Sequence, residues 1–316
     1  MQSCRTLLNS ATALIGLLLA MPVAAQAEGP IPLVATFSIL GDMAQRIGGD
    51  RVSITTLVGP NGDAHVYQPT PAAARAVSEA QILVVNGLGF EGWLDRLIDA
   101  SDFDGVRVVA TDGIEALAYQ AGHDHGEAGH AQDAPPDHYH GAFDPHAWQS
   151  LGNAITYVDN ITAALAKADP ENADTYYRNR AGYVAQIEAL DAEIHKIIAS
   201  LPAERRTIVT SHDAFQYFGR DYGLTFLSPQ GLSTESEASA RDVARLIERI
   251  RAQGISAVFI ENIADSRLLE RIADETGATI GGTLYPGALS GEDGPAPTYL
   301  EMMRHNATTL AQALSS

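Results

Sequence analysis

The sequence predicts an α/β fold of two lobes, each a parallel sheet covered by helices, joined by one long rigid helix. Three observations carry this. Short β-branched runs alternate with amphipathic stretches in the first half, the alternation returns in the second half, and one continuous helical run lies between them. Strand–helix alternation implies parallel sheets, because successive parallel strands need a crossover over one face of the sheet.

In the first half, strands are expected at 33–37, 52–57, 82–85 and 106–110, with helices at 39–47, 72–79 and 93–100. In the second half, strands fit 207–210, 224–227, 257–260 and 279–281, and helices fit 214–222, 240–253, 266–276 and 299–314. The two halves share no recognisable sequence repeat. Between them Pro170 suits a first helical turn, with Asp169 as its cap. Tyr183, Ile187, Leu190, Ile194 and Ile197 then recur at helical spacing, and Pro202 closes the run. Such a helix, about thirty residues and roughly 45 Å long, can run the height of a two-lobe protein. The expected organisation is a leader at 1–27, an N-terminal lobe at 28–168, a linking helix at 169–201 and a C-terminal lobe at 202–316.

The leader reads as a cleaved signal peptide. Arg5 precedes an apolar core from Leu14 to Met21, and Ala25-Gln26-Ala27 matches the small-x-small cleavage pattern. The apolar run is short for a bilayer span, and Glu28, Gly29 and Pro30 end it. The expected location is therefore periplasmic. The one cysteine, Cys4, precedes that core, the wrong side for a lipid-attachment cysteine, and leaves the mature chain without thiols.

With 39 Asp and Glu against 20 Lys and Arg, the surface is strongly acidic. That disfavours nucleic acid and anionic membrane as partners and is what a soluble monomer needs.

The ten histidines are unevenly placed. His123, His125, His130, His138 and His140 crowd into a loop at 122–141 with no period, few aliphatic residues and two adjacent prolines. His195 and His305 sit in helical runs and read as ordinary surface residues. His65, His146 and His212 each sit where regular structure gives way to a loop, as ligand sites in α/β sheets do. Three neutral imidazoles form a known zinc shell. Asp63, Asp144 and Asp213 neighbour them, and Glu235 and Glu237 are further candidates to accept the second ring N–H of a ligating histidine. A helix opening near Ala214 would favour the neutral form of His212.

Several motifs add a resemblance. Asp63-Ala64-His65-Val66-Tyr67-Gln68-Pro69-Thr70-Pro71, Asp144-Pro145-His146-Ala147-Trp148 and Ser211-His212-Asp213-Ala214-Phe215-Gln216-Tyr217-Phe218 occur in that order. Phe259-Ile260-Glu261-Asn262, Glu275-Thr276-Gly277 and Tyr299 to Asn306 follow. Together they resemble the metal-binding solute-binding proteins of ABC transporters, the zinc and manganese group, across essentially the mature chain. The resemblance implies two α/β lobes joined by a rigid helix, with metal held between them by His65, His146 and His212. It also implies delivery of Zn2+ as cargo to an ABC transporter membrane permease, with a periplasmic zinc metallochaperone as a candidate donor. The histidine-rich loop marks the zinc branch, and three imidazoles point the same way; a manganese-binding member of the family is the alternative.

One position departs from the family. Where many relatives carry a carboxylate ligand, in Leu284-Tyr285-Pro286-Gly287-Ala288-Leu289, this chain has Gly287. Water, Glu292, Asp293 or a loop histidine remain open as a fourth ligand. A zinc hydrolase also matches three histidines with an open position. The chain has no H-E-x-x-H and no nucleophile elbow, so the expectation is a binding protein and not an enzyme. A surface adhesin would share the fold and metal and differ in partner.

Overall fold

The computed structural model describes residues 29–119 and 143–315. The expected leader and the histidine-rich loop, with His123, His125, His130, His138 and His140, lie outside the described residues.

The first sheet is built from β1 (Ile31–Phe37), β2 (Val52–Val58), β3 (Ile82–Val85) and β4 (Val106–Val109), all parallel in the order β2-β1-β3-β4. Helices α1 (Ser38–Gly48), α2 (Pro71–Ser78) and α3 (Leu94–Ser101) connect them. The second sheet comprises β5 (Thr207–Val209), β6 (Thr225–Leu227), β7 (Ala257–Glu261) and β8 (Thr279–Leu284), parallel in the order β6-β5-β7-β8. Its helices are α6 (Gln216–Tyr222), α7 (Ala240–Gln253), α8 (Arg267–Thr276) and α9 (Tyr299–Leu314).

Both sheets thus have one topology without a shared sequence. In each, the chain leaves the first strand to one side and returns on the other. This makes a switch point at the carboxyl ends of β1 and β3 in one lobe and of β5 and β7 in the other, where a crevice forms.

The linking helix α5 (Ala173–Ala199) has 27 residues and is about 40 Å long. It starts later than the sequence suggests, because Pro170–Asn172 form a separate 3-10 turn. Asp169 does not cap α5; its carboxylate accepts from Asn172 Nδ2 and the Tyr176 hydroxyl, each at 2.7 Å. Tyr183, Ile187, Leu190 and Ile194 are buried as their spacing requires, with Ile198 replacing Ile197 at the end of the face. That face packs on α1, α6, α9 and a further helix, α4 (Leu151–Ala168), which the strand–helix pattern had not indicated. α4 is capped by Ser150, whose side chain accepts from Asn153 N, and buries Leu151, Ala154, Tyr157, Val158, Ile161 and Leu165. Each fully buried aliphatic of this kind contributes about 1.5–3 kcal/mol, so α4, α5 and their neighbours make a firm frame for the loops above the sheets. Among the described residues no helix is long and apolar enough to cross a membrane.

Candidate metal centre

His65 is carried by the long connection after β2. Gly59-Pro60-Asn61-Gly62 is a tight turn closed by Gly62 N donating to Gly59 O at 3.1 Å, with Asn61 at φ 55°. Proline presets the second position of such a turn, and asparagine tolerates the left-handed third. Gly62 is required by space: a Cβ there would lie 2.8 Å from Val58 Cγ1 and 3.0 Å from Gly59 O. Asp63 Oδ1 then accepts from His65 N at 2.9 Å, and Trp93 Nε1 donates to Ala64 O at 2.8 Å. The edge of Phe90 lies against the half-buried His65 ring, 4.7 Å between centroids.

His146 is set by a buried polar network that the sequence does not announce. Asn86, at the end of β3, donates from Nδ2 to Pro145 O at 2.9 Å and accepts from the Tyr157 hydroxyl at 2.6 Å. Glu91 anchors Asn86 in turn, accepting from Asn86 N at 2.6 Å and from Thr36 Oγ1 at 2.7 Å. Burial raises the Glu91 pKa against these hydrogen bonds. From the other lobe, the Tyr217 hydroxyl donates to Asp144 O at 2.9 Å. Asp144 Oδ1 meets both His146 Nδ1 at 2.8 Å and His146 N at 2.9 Å.

His212 follows β5, and its partner is Glu261 at the end of the adjacent strand β7. Glu261 Oε2 lies 2.6 Å from His212 Nδ1, while Oε1 accepts from Ser211 N at 3.0 Å and His212 N at 3.2 Å. One carboxylate thus fixes both ring and backbone. The sequence neighbour Asp213 is not the ring partner; its Oδ2 accepts from Gln216 Nε2. Helix α6 begins only at Gln216, four residues past the ring, so its dipole does not hold His212 neutral. Burial disfavours the His212 charge, but the Glu261 carboxylate outweighs burial and the His212 pKa is raised.

The three rings converge. Ring centroids are 5.3 Å apart for His65–His146, 5.6 Å for His65–His212 and 5.3 Å for His146–His212. One nitrogen from each lies within 4.8 Å of the others. His146 and His212 are fully buried, and His65 Nε2 stands 3.3 Å from His146 Nε2. Two nitrogens each about 2.05 Å from one tetrahedral ion lie about 3.3 Å apart, so this spacing suits two ligands of one such ion. With Nδ1–H of His146 and His212 directed at carboxylates, their Nε2 lone pairs face inward. His212 Nε2 is buried with no hydrogen-bond partner among the described residues, a costly state unless a cation accepts the lone pair. Burial, then His146 and His212, hold the His65 pKa well below the ordinary imidazole range, and burial, then His212, does the same for His146. Burial lifts Asp144 to about 7 despite the His146 backbone hydrogen bond. Trp148 packs on His146 at 5.3 Å and on Phe90 at 4.8 Å, so an apolar wall backs the site.

The remaining candidates lie elsewhere. Asp63 binds the His65 backbone and not its ring. Glu235, Glu237, Glu292 and Asp293 are exposed and outside the ligating group. Gly287 is buried beside the site wall, where an added Cβ would meet Trp148 Cζ2 at 3.7 Å and Ile263 Cδ1 at 3.9 Å, ordinary contact. His195 is an exposed residue on α5 with Asp191 at 3.7 Å. His305 is not an ordinary surface residue; it is half-buried, and its Nε2 donates to Thr283 O at 2.9 Å.

Two parallel-sheet lobes whose loops bring three imidazoles together, two of them braced by buried carboxylates, define a solute-binding protein for a metal ion. Comparison with known proteins agrees. Residues 33–313 match the profile of the ZnuA family, described as zinc-uptake complex component A, periplasmic. The chain is 35% identical over 280 residues to the iron-binding protein YfeA of Yersinia pestis, covering 89% of this chain and 85% of that one. It is 33% identical over 286 residues to the manganese-binding lipoprotein MntA of Halalkalibacterium halodurans, covering 90% and 89%. Among solved structures, the periplasmic zinc binding protein TroA of Treponema pallidum superposes with a TM-score of 0.81 at 28% identity, covering 91% of this chain and 99% of that one. A Mn-bound periplasmic metal binding protein from Candidatus Liberibacter asiaticus (an S38A mutant) gives 0.76 at 33% identity, covering 89% and 98%.

The chain belongs to the ZnuA family of metal-binding, substrate-binding proteins of ABC transporters. It acts outside the cytoplasm, binds a metal ion for a membrane permease and its ATPase, and is not an enzyme.

Proposed function

We propose that the transported ion is Zn2+ and that His65, His146 and His212 are its protein ligands. The observation that carries this reading is the all-imidazole donor set, with its 3.3 Å nitrogen–nitrogen edge and the orphaned, buried Nε2 of His212. Among the described residues no carboxylate joins the three histidines within the ligating group. Imidazole suits zinc, whereas manganese prefers carboxylate and water oxygens. In this reading residues 1–27 are a cleaved leader, 28–168 and 202–316 are the two lobes, and 169–201 link them. The position of Cys4 ahead of the apolar core favours a freely diffusing periplasmic form, although several relatives are named lipoproteins. A zinc metallochaperone is the proposed donor.

A second reading, manganese or iron as cargo, is favoured by the names of relatives at 33–35% identity. Competitive titration of chelator-stripped protein with Zn2+, Mn2+ and Fe2+ separates the two. Zinc should bind at least ~100-fold more tightly than manganese, about 2.7 kcal/mol; equal affinities would overturn zinc as the cargo.

A further inference from the structure

We propose that Thr234 is a positioning residue for metal capture: from the lobe of β5–β8 its hydroxyl holds Asp63, and through Asp63 the backbone of His65. The inference rests on reading His65 as a metal ligand. His146 and His212 each have a carboxylate on the second ring nitrogen, at 2.8 and 2.6 Å. Among the described residues, the polar contact of the His65 ring is His146 Nε2 itself, at 3.3 Å. The His65 ring is therefore directed mainly through its backbone, which belongs to a connection without helix or strand.

That backbone is gripped at one peptide unit. Trp93 Nε1, from the same lobe, donates to the Ala64 carbonyl at 2.8 Å. On the other side of the same peptide, His65 N donates to Asp63 Oδ1 at 2.9 Å. The second carboxylate oxygen, Asp63 Oδ2, accepts from Thr234 Oγ1 at 2.5 Å, across 171 residues of sequence. Thr234 lies between β6 and α7, so the bond ties the two lobes two residues from the ligand. A second tie holds the base of the connection, where Asn61 N donates to Leu289 O at 2.8 Å and Asn262 Nδ2 to Asn61 Oδ1 at 3.0 Å. Of these ties between the lobes, the Thr234 bond is the one that reaches the carboxylate orienting the His65 peptide. The lobes must be together for it to form, so separating them frees the backbone of the one ligand that lacks a carboxylate on its ring, whereas the Asp144 and Glu261 contacts to the rings of His146 and His212 each lie within a single lobe. The clasp thus couples the orientation of His65 to contact between the lobes.

The test measures Zn2+ release from the loaded full-length protein into excess chelator by stopped flow. Thr234→Val removes the hydroxyl at nearly constant shape and should raise the off-rate about tenfold, the loss of one hydrogen bond to a charged group. Thr234→Ser should restore the parent rate, and Asp63→Asn should resemble the valine variant. Melting temperatures of the metal-free proteins should agree within about 2 °C, since Thr234 is not in the core. A merely structural role would instead lower the metal-free melting temperature and leave the off-rate alone. His212→Ala runs alongside. If it loses zinc while Thr234→Val releases zinc at the parent rate, or if serine fails to restore that rate, the clasp is wrong and the site stands. If His212→Ala binds zinc normally, the site reading itself falls.

Discussion

The His212 and His65 sides of the centre solve one problem in opposite ways. His212 sits just past a strand, and Glu261 at the end of the adjacent strand holds its ring and its backbone together. His65 sits seven residues beyond β2, on a connection whose shape comes from a Pro60-Asn61 turn and from hydrogen bonds to Trp93, Asp63 and the other lobe. One side is a preorganised half-site; the other is assembled by contacts that two lobes must share. A cargo site needs both qualities: preformed ligands give affinity, and a ligand that can be withdrawn gives release.

The largest effect should come from removing a braced ligand. His146→Ala or His212→Ala deletes one of three metal bonds and exposes the buried carboxylate behind it. Zinc binding should weaken by several kcal/mol, given ~10–16 kcal/mol for structural zinc sites. Competition against a chromophoric chelator measures this, and His305→Ala, whose ring serves Thr283 O, should bind zinc as the parent does. Parent-like affinity in both ligand variants would remove the distinction between the half-sites along with the site.

A smaller change sharpens the comparison at the brace itself. Glu261→Gln keeps an acceptor near His212 but removes the charge that makes the imidazole more basic. Loss of such an outer partner should cost about 10–100-fold in affinity at pH 7.5. The same charge raises the His212 pKa above the ordinary imidazole value, so in the parent protons compete with metal for His212 at higher pH than they would for an ordinary imidazole. Without it the displacement starts at lower pH. The affinity gap between parent and variant should therefore narrow as pH falls from 7.5 to 5.5. A gap constant across that range would show that Glu261 orients the ring without tuning its basicity.

Much of this was legible in the sequence, for physical reasons that also mark the limit. Strands β1 to β4 and the face of α5 were readable because burial imposes a local period on residues close in the chain. The three histidines that the structure brings together stood out because histidine beside a break in regular structure is chemically conspicuous. Helix α4 shows the same period at Leu151, Ala154, Val158, Ile161 and Leu165, but its small and β-branched residues give weak helical contrast in the sequence. Glu261 could be seen at the end of β7, but its pairing with His212 depends on β5 and β7 being adjacent, which strand order in space decides and chain order does not. Asn86, Glu91 and Thr234 share that difficulty: each acts through a bond spanning tens to hundreds of residues, and their types are unremarkable where they occur.

The smallest equilibrium effect is expected from deleting residues 122–141. Ala118 and Phe143 form an isolated antiparallel bridge, and Asp144 N donates to Leu117 O at 2.8 Å, so the described residues that flank the segment are already adjacent. A short Gly-Ser linker can therefore replace it without disturbing Asp144 or His146. The segment holds five histidines and several acids with little apolar surface, a composition suited to binding zinc weakly and in many arrangements. The segment ends five residues before His146, which makes any zinc it holds intramolecular to the centre. Affinity for zinc should stay within roughly tenfold, about 1.4 kcal/mol, because the three ligands and their braces are untouched. The rate of acquisition from a dilute buffered supply, or from a zinc-loaded donor protein, should fall. A deletion that abolishes tight binding would mean that a loop histidine completes the coordination beside Gly287. A deletion that changes neither rate nor affinity would leave capture to the His65 connection alone.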